Sequence, residues 1–300
     1  MDALLTIVGL GALVIGAEVM IRGAVEIALR ARISPLVVGL TVVSLGTSVP
    51  ELLVSLLAAL KGSPAIAIGN VVGSNIVNIS LVLGLSILIM PIEVDRDARR
   101  IHWPVMMLVT IAFIGLLWDD EFTRWEGIIF TLLLATYVVG MVRSSRKKQA
   151  LEGSLPPVSA VPIWRSLLML IIGIAALGFG ADRFVEGAVG LARTFGVSDQ
   201  LIGVTIVAVG TSLPELITSV MAAIRRQPDI SLGNLVGSNI FNLLGIVGVT
   251  ATVHPIIVDH RNFMIDLLAM FAIALLLFPL MKSVKLGRWQ GAILCILYAV

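Results

Sequence analysis

Charged residues are scarce in this 300-residue chain. Only 13% of its residues are charged, whereas a soluble globular domain carries roughly a quarter. Hydrophobic residues make up 58% of the chain, and its mean hydropathy is +1.05. The charges that exist cluster at the ends of long apolar runs. This composition excludes an ordinary soluble globule and indicates a protein that lies within a membrane.

Other absences narrow the class further. Cys295 is the only cysteine, so an intrachain disulfide is excluded and thiol chemistry is not expected. The apolar runs contain no HExxH motif and no central Lys or His, which argues against an intramembrane enzyme. They also lack the period-2 alternation of a membrane β-barrel. The sequence therefore predicts an all-α membrane protein that is not an enzyme and needs no cofactor.

Ten apolar runs are long enough, at about 20 residues, to cross a bilayer. The predicted spans are 3–28, 36–60, 65–90, 102–118, 125–142, 166–192, 199–224, 229–253, 263–281 and 288–300. If both termini lie outside, 15 of the 21 basic residues face the cytoplasm and 4 face outward. The positive-inside rule favours that orientation, with both ends extracellular or periplasmic in a cell (inner) membrane. The basic cluster RSSRKK at 143–148 is read as part of this orientation signal, and no nucleic-acid partner is expected.

The chain contains an internal repeat. Shifting the sequence by 164 residues aligns 39–78 with 203–242, with 22 identities in 40 positions. Shared Thr, Ser, Pro, Glu and Asn at one constant offset indicate duplication. Five spans in each half place the second copy in the opposite orientation across the membrane. We therefore predict two inverted repeats, 1–146 and 163–300, joined by a cytoplasmic linker at 147–162.

Each copy carries a carboxylate in mid-membrane, in GTSVPE at 46–51 and GTSLPE at 210–215. Pro50 has no amide hydrogen and clashes with the carbonyl of Gly46, so the helix should break there. The break frees carbonyl oxygens beside Glu51, and the second copy presents Glu215 in the same way. A charge at that depth normally faces a protein interior or a water-filled path and has a function there.

A second repeated block faces these carboxylates. It reads GNVVGSNIVN at 69–78 and GNLVGSNIFN at 233–242. Ser74 and Asn78 are four residues apart and so share one helical face, as do Ser238 and Asn242. Neither block contains Cys or His, so the candidate ligands are all oxygen atoms. That chemistry suits sodium, calcium, magnesium or manganese rather than copper or zinc. Two ionised carboxylates balance one divalent cation or attract several sodium ions.

On both repeated blocks, the chain resembles the cation/calcium exchanger family, and its sodium/calcium exchanger branch in particular. The resemblance covers nearly the whole chain. It implies a secondary antiporter that exchanges sodium for calcium by alternating access, with four cation sites at the midplane. It also implies that the first and sixth spans slide to switch access.

The resemblance assigns roles to individual residues by motif position. Calcium ligands would be Glu51, Glu215, Thr47 and Thr211. Sodium ligands would be Ser44, Thr47, Ser48, Glu51, Ser74, Ala208, Thr211, Ser212, Glu215 and Ser238, with Ser44 and Ala208 acting through their carbonyls. Asn78 and Asn242 would line the middle site. Sodium, calcium and the lipid bilayer are the expected partners, and no obligate protein partner is evident.

Potassium-dependent relatives carry Asp where this chain has Asn242, so we expect no potassium requirement here. Two alternatives stay open at the level of sequence, one for the coupling ion and one for the two asparagines. Both glutamates could also titrate, which leaves exchange of calcium or another divalent cation for protons as the alternative to sodium coupling. Asn78 and Asn242 have a second reading as interhelical hydrogen-bonding residues without an ion.

Overall fold

The computed structural model describes residues 1–152, 161–197, 208–283 and 285–299, and these residues are almost entirely helical. The helices of the first half are α1 (Asp2–Ala31), α2 (Pro35–Val38), α3 (Ser44–Thr47), α4 (Val49–Leu60), α5 (Pro64–Val77), α6 (Leu83–Ile89), α7 (Trp103–Leu116) and α8 (Arg124–Glu152). Those of the second half are α9 (Ile163–Thr194), α10 (Ala208–Gly210), α11 (Leu213–Ile224), α12 (Pro228–Phe241), α13 (Gly248–Val253), α14 (Met264–Leu280) and α15 (Arg288–Ala299).

Short irregular elements connect these helices. Four π-helical segments, with wider turns than an α-helix, lie at Gly39–Val43, Asn78–Val82, Ala98–His102 and Asn242–Val247. Four two-residue strands are β1 (Ile92–Glu93), β2 (Glu121–Phe122), β3 (Ile256–Ile257) and β4 (Lys285–Leu286). Single π-helical turns occur frequently at functional sites.

Among the described residues, seven helices are long and apolar enough to cross a membrane. The pair Pro35–Thr47 and Val49–Leu60 forms an eighth if it counts as one bent span. The predicted span 199–224 is represented by α10 and α11, since 199–207 lie outside the described residues. Helix α8 continues past its predicted end at residue 142 to Glu152, inside the predicted linker. The chain is therefore a multi-pass helical membrane protein, as predicted.

Helices α1 and α9 form a long antiparallel pair. A Cβ added to Gly9 would meet the Phe184 backbone, one added to Gly16 would meet Leu177, and one added to Gly23 would meet Ser166. As the residue number rises along α1, the number of the contacting residue on α9 falls, so the two helices run in opposite directions. Glycines recur every seven residues on both, at 9, 16 and 23 and at 173, 180 and 187. Small residues of this kind let membrane helices approach closely.

Two short strand pairs join the first half of the chain to the second half. Strand β1 pairs antiparallel with β4, and β2 pairs antiparallel with β3. The registers Ile92↔Leu286 and Phe122↔Ile256 are equivalent after a shift of 164 residues. The bounds of α4 and α11, and of α5 and α12, also differ by 164 at both ends. The sequence repeat is thus a structural repeat as well.

Candidate cation site

The predicted helix break lies at the first acidic motif. Helix α3 ends at Thr47 and α4 begins at Val49, with Pro50 in its first turn. Between them Ser48 leaves the helical region at φ −87 and ψ 7, and the two helical pieces meet at 46°. Since Pro50 cannot donate a hydrogen bond to the Gly46 carbonyl, that carbonyl stays available.

The second motif breaks the chain at the equivalent residue. Helix α10 ends at Gly210, and α11 begins at Leu213 with Pro214 in its first turn. Ser212, at φ −91 and ψ 7, nearly repeats the backbone angles of Ser48. Each acidic residue therefore lies in the first turn of a new helix, whose N-terminal end carries free amide groups.

The structure brings the two carboxylates together. Glu51 and Glu215 are both 0% exposed. The hydroxyl of Ser48, from the first motif, donates to Oε1 of Glu215 over 2.9 Å. The two glutamates are near enough for their charges to repel each other. Residues 164 positions apart in sequence thus form one acidic centre.

Several buried polar atoms of the two acidic motifs and the two repeated Ser/Asn blocks have no hydrogen-bond partner among the described residues. They are both carboxylate oxygens of Glu51, Oε2 of Glu215, the hydroxyls of Ser212 and Ser238, both amide atoms of Asn78, and Oδ1 of Asn242. Buried polar atoms are almost always satisfied in native proteins, and each exception needs an explanation. Unpartnered oxygens on two neighbouring buried carboxylates are what a cation site should show.

Asparagines connect the two halves around the carboxylates. Thr47 donates to Oδ1 of Asn234 over 3.2 Å, and Nδ2 of Asn234 donates to Ser219 over 2.9 Å. In the first half, Nδ2 of Asn70 donates to Ser55 over 2.9 Å and to the Glu51 carbonyl over 3.1 Å. These amides and serines are missing from the predicted site, although their recurrence at the 164-residue offset was the signal that could have identified them.

Asn78 and Asn242 both begin π-helical segments and are both fully buried. Nδ2 of Asn242 donates to Oδ1 of Asn75 over 3.0 Å, across the boundary between the halves. The interhelical bonding considered for these residues thus exists for Asn242. Asn78 makes no such bond to any described residue.

The remaining predicted site residues belong to the helices and turns that carry the two acidic motifs and the repeated Ser/Asn blocks. Ser44, Ser74 and Ser238 are buried, and the carbonyl of Ser44 accepts a 3.3 Å hydrogen bond from Thr47. Thr211 is half-buried in the turn between α10 and α11, and Ala208 is the first residue of α10. By contrast, Glu18 lies apart and forms ion pairs with Arg22 at 2.6 Å and Arg225 at 2.8 Å.

The chemistry of this centre is that of hard oxygen ligands. Its side chains are carboxylates, hydroxyls and amides, and no described ion pair involves Glu51 or Glu215. Carboxylate, carbonyl and hydroxyl oxygens bind sodium and calcium, whose coordination tolerates irregular mixed ligand sets. Since no cationic side chain in the described part of the chain pairs with them, a cation is the group that fits two adjacent carboxylates.

Comparison with known proteins agrees with this reading. The sodium/calcium exchanger protein family model matches residues 1–143 and 165–300. The sodium/calcium exchanger MaX1 of Methanosarcina acetivorans is 31% identical over 98% of this chain and 95% of its own. The inner membrane protein YrbG of Escherichia coli is 34% identical, covering 97% and 92%.

A solved structure of the sodium-calcium exchanger NCX_Mj aligns with 100% of this chain and 98% of its own. The TM-score is 0.85 at 35% sequence identity. The matched relatives include exchangers, which are transporters, and no catalytic family is indicated. On its sequence, its fold and its acidic centre, the chain belongs to the sodium/calcium exchanger family.

Proposed function

We propose that this protein is a secondary antiporter that exchanges sodium for calcium by alternating access. The observation that carries the proposal is that Glu51 and Glu215 lie together and are both fully buried. Three of their four carboxylate oxygens have no described hydrogen-bond partner. Two ionised carboxylates balance one calcium ion, or attract sodium ions that replace it. A buried pair of like charges is costly when empty, so a cation load of either kind stabilises it. Mutually exclusive loads on one site are what exchange requires.

The proposed calcium ligands are the carboxylates of Glu51 and Glu215 with the carbonyls of Thr47 and Thr211. The proposed sodium ligands add the hydroxyls and carbonyls that surround them: Ser44, Ser48, Ser74, Ala208, Ser212 and Ser238. Asn78 and Asn242 line the middle position. The unpartnered hydroxyls of Ser212 and Ser238 and the unpartnered amide of Asn78 support these roles.

The proposed architecture is ten spans in two inverted five-span repeats, 1–146 and 163–300, with a cytoplasmic linker between them. Its support is the antiparallel pairing of α1 and α9, which occupy equivalent positions in the repeat. Inverted repeats place ion sites at their interface on broken helices. The distribution of basic residues supports a location in the cell membrane with both termini outside.

The proposed switch between outward and inward access is a sliding of α1 and α9 across the other helices. The glycine positions shared by these helices bring their backbones close together, so the pair can move as one body. Such motion exposes the acidic centre to one side of the membrane at a time.

The test is calcium flux in proteoliposomes with the sodium, potassium and proton gradients set independently. We expect an outward sodium gradient to drive calcium uptake at constant pH and without potassium. Uptake driven by a pH gradient with no sodium would instead establish the alternative, an exchange of calcium or another divalent cation for protons. Calcium flux that needs no counter-ion at all would indicate a channel and reject antiport.

A further inference from the structure

A large apolar slot opens between helices on the side of the molecule. It has a volume of about 800 Å³ and lies between α1 and α2 on one side and α7 and α8 on the other. Two of its lining residues, Leu108 and Leu133, are 69% and 49% exposed, so the slot opens toward the surrounding bilayer. Its volume falls within the roughly 300–1,000 Å³ of small-molecule sites.

The slot runs along the axis of α8. Residues of α8 line it every three or four positions from Leu133 to Gln149. The 15 residue steps from Leu133 to Lys148 span about 22 Å at the helical rise per residue. Half of the hydrocarbon core measures roughly 15 Å, so the slot accommodates one leaflet's acyl chain together with its headgroup.

The interior of the slot offers nothing that would select a polar ligand at depth. His102 and Tyr137, which both line it, satisfy each other through a 2.7 Å hydrogen bond. The Thr136 hydroxyl donates to the Leu132 carbonyl over 2.8 Å, and the other lining residues at this depth are mostly aliphatic, such as Val105 and Leu108. An acyl chain fits such a surface.

The mouth of the slot, in contrast, carries both signs of charge. Lys148 forms a 2.9 Å ion pair with Asp97, and Asp95 lies beside them. Gln149 contributes a buried Oε1 that accepts no hydrogen bond from any described residue. Among the described lining residues, the mouth therefore combines the Lys148 ammonium with the carboxylates of Asp97 and Asp95 and the unpartnered Gln149 oxygen. Oδ1 of Asp95 also accepts from the backbone nitrogens of Asp97 and Ala98.

We infer that this slot binds a phospholipid whose headgroup carries a primary ammonium, as in phosphatidylethanolamine. The Lys148 ammonium faces the lipid phosphate, while Asp97 and the Gln149 oxygen accept hydrogen bonds from the lipid ammonium. A choline headgroup has no N–H to donate, and an anionic glycerol headgroup brings no cation to Asp95 and Asp97. The bound chain would pack directly against Val25 and Leu29 of α1. The site stands apart from the acidic centre and does not depend on the proposed transport.

Glycine substitutions provide a matched test. Gly140 lines the slot, and a Cβ placed there meets no atom of the described residues within 4 Å. Gly115 has the same open surroundings but does not line the slot. Gly140→Phe should therefore fill the slot without distorting the helices, and Gly115→Phe should serve as its control.

The experiment is native mass spectrometry of protein released from nanodiscs that contain equal amounts of phosphatidylethanolamine, phosphatidylcholine and phosphatidylglycerol with identical chains. We expect wild type and Gly115→Phe to retain phosphatidylethanolamine at least fivefold over the other two lipids. Gly140→Phe should lose this adduct, and Asp97→Asn should keep a lipid but lose the preference. Equal retention by Gly140→Phe and wild type would overturn the site. A wild-type preference for either other lipid, or none, would overturn the headgroup assignment.

Discussion

The two acidic motifs are nearly identical in sequence but differ in their hydrogen bonding. The Ser48 hydroxyl donates to Glu215 over 2.9 Å, whereas the equivalent Ser212 hydroxyl lies near Glu51 without a bond of comparable length among the described residues. Asn242 bonds to Asn75, while its counterpart Asn78 bonds to no described residue. An alternating-access protein that is open to one side cannot keep its two halves in the same state. The alternating access that we propose requires the two halves to differ in any one conformation, and this difference in hydrogen bonding supports that proposal.

The two halves also differ in how deeply their equivalent helices are buried. The apolar part of the span Pro228–Val253, which contains α12, is 78% buried, against 67% for the equivalent span Pro64–Ile89, which contains α5. Thr47 is fully buried and bonded to Asn234, whereas Thr211 is half-buried. The second repeat's α12 thus forms the more enclosed wall of the acidic centre.

The largest expected effect comes from removing either carboxylate. Glu51→Gln and Glu215→Gln should each reduce sodium-driven calcium flux to background, at least about 100-fold, since one negative charge cannot balance a divalent ion in a buried site. Glu18→Gln should retain flux, because Glu18 is paired with Arg22 and Arg225 away from the centre. Near-normal flux in both glutamate variants would reject the site, and loss in only one would show that the halves are not functionally equivalent.

The next effect tests Asn242, the uncharged residue that stands where potassium-dependent relatives carry Asp. Asn242→Asp adds a third buried carboxylate, so a bound calcium ion leaves one negative charge uncompensated. We expect wild-type calcium flux to be unchanged without potassium, whereas Asn242→Asp should lose about tenfold unless potassium is supplied. Asn242→Ala removes the amide without adding a charge and should show no potassium dependence. Wild-type flux that collapses when potassium is withdrawn from both sides would contradict the interpretation of Asn242.

The positions of the long helices and the helix break could be predicted from sequence because they follow local rules. Apolar length sets the spans, and Pro50 and Pro214 set the breaks between α3 and α4 and between α10 and α11. The repeat then predicts that Glu51 and Glu215 meet, since equivalent segments of inverted halves converge at their interface.

Other features depend on partners distant in sequence and could not be predicted. The bond between Asn242 and Asn75 joins residues 167 positions apart, and nothing in either local sequence specifies it. The bonds of Asn70 to Ser55 and of Asn234 to Ser219 required knowing which helix faces are adjacent. The extension of α8 to Glu152 also escaped prediction, because its last two turns are polar and lie beyond the apolar run.

A smaller effect, on stability, should follow from enlarging glycines at the contact between α1 of the first half and α9 of the second half. A Cβ on Gly16 would lie 2.9 Å from the Leu177 backbone nitrogen, and one on Gly180 would lie 2.7 Å from that of Leu13. Gly16→Ala and Gly180→Ala should each destabilise the protein by about 1–3 kcal/mol through overpacking. Thermal unfolding in detergent measures this loss. Gly11→Ala and Gly178→Ala, on the same helices but with open surroundings, should unfold like wild type. Equal losses at all four glycines would refute the close approach of α1 and α9.

The smallest expected effect distinguishes the two strand pairs. Asp120 directly precedes β2, beside the pair that β2 forms with β3. Its Oδ1 accepts hydrogen bonds from the backbone nitrogen of His260 over 2.8 Å and from the His260 Nδ1 over 2.7 Å. These bonds, the backbone one first, hold the pKa of the Asp120 carboxyl below its ordinary value of 3.8. Arg96 stands at the position equivalent to His260 beside the other ladder.

Because the folded-state pKa of Asp120 is depressed, the ionised carboxylate stabilises the folded protein above its ordinary pKa and loses that contribution as acid protonates it. Asp120→Asn should therefore lower Tm slightly at neutral pH, and the difference from wild type should fade as the pH drops below about 3.8. The control is Asp119→Asn, whose carboxylate accepts a long 3.4 Å bond from the Glu121 backbone nitrogen, whereas the described bonds of His260 go to Asp120. A deficit in Asp120→Asn that persists undiminished into acid would show that the side chain acts through packing. In that case its charge would not distinguish this strand pair from the other.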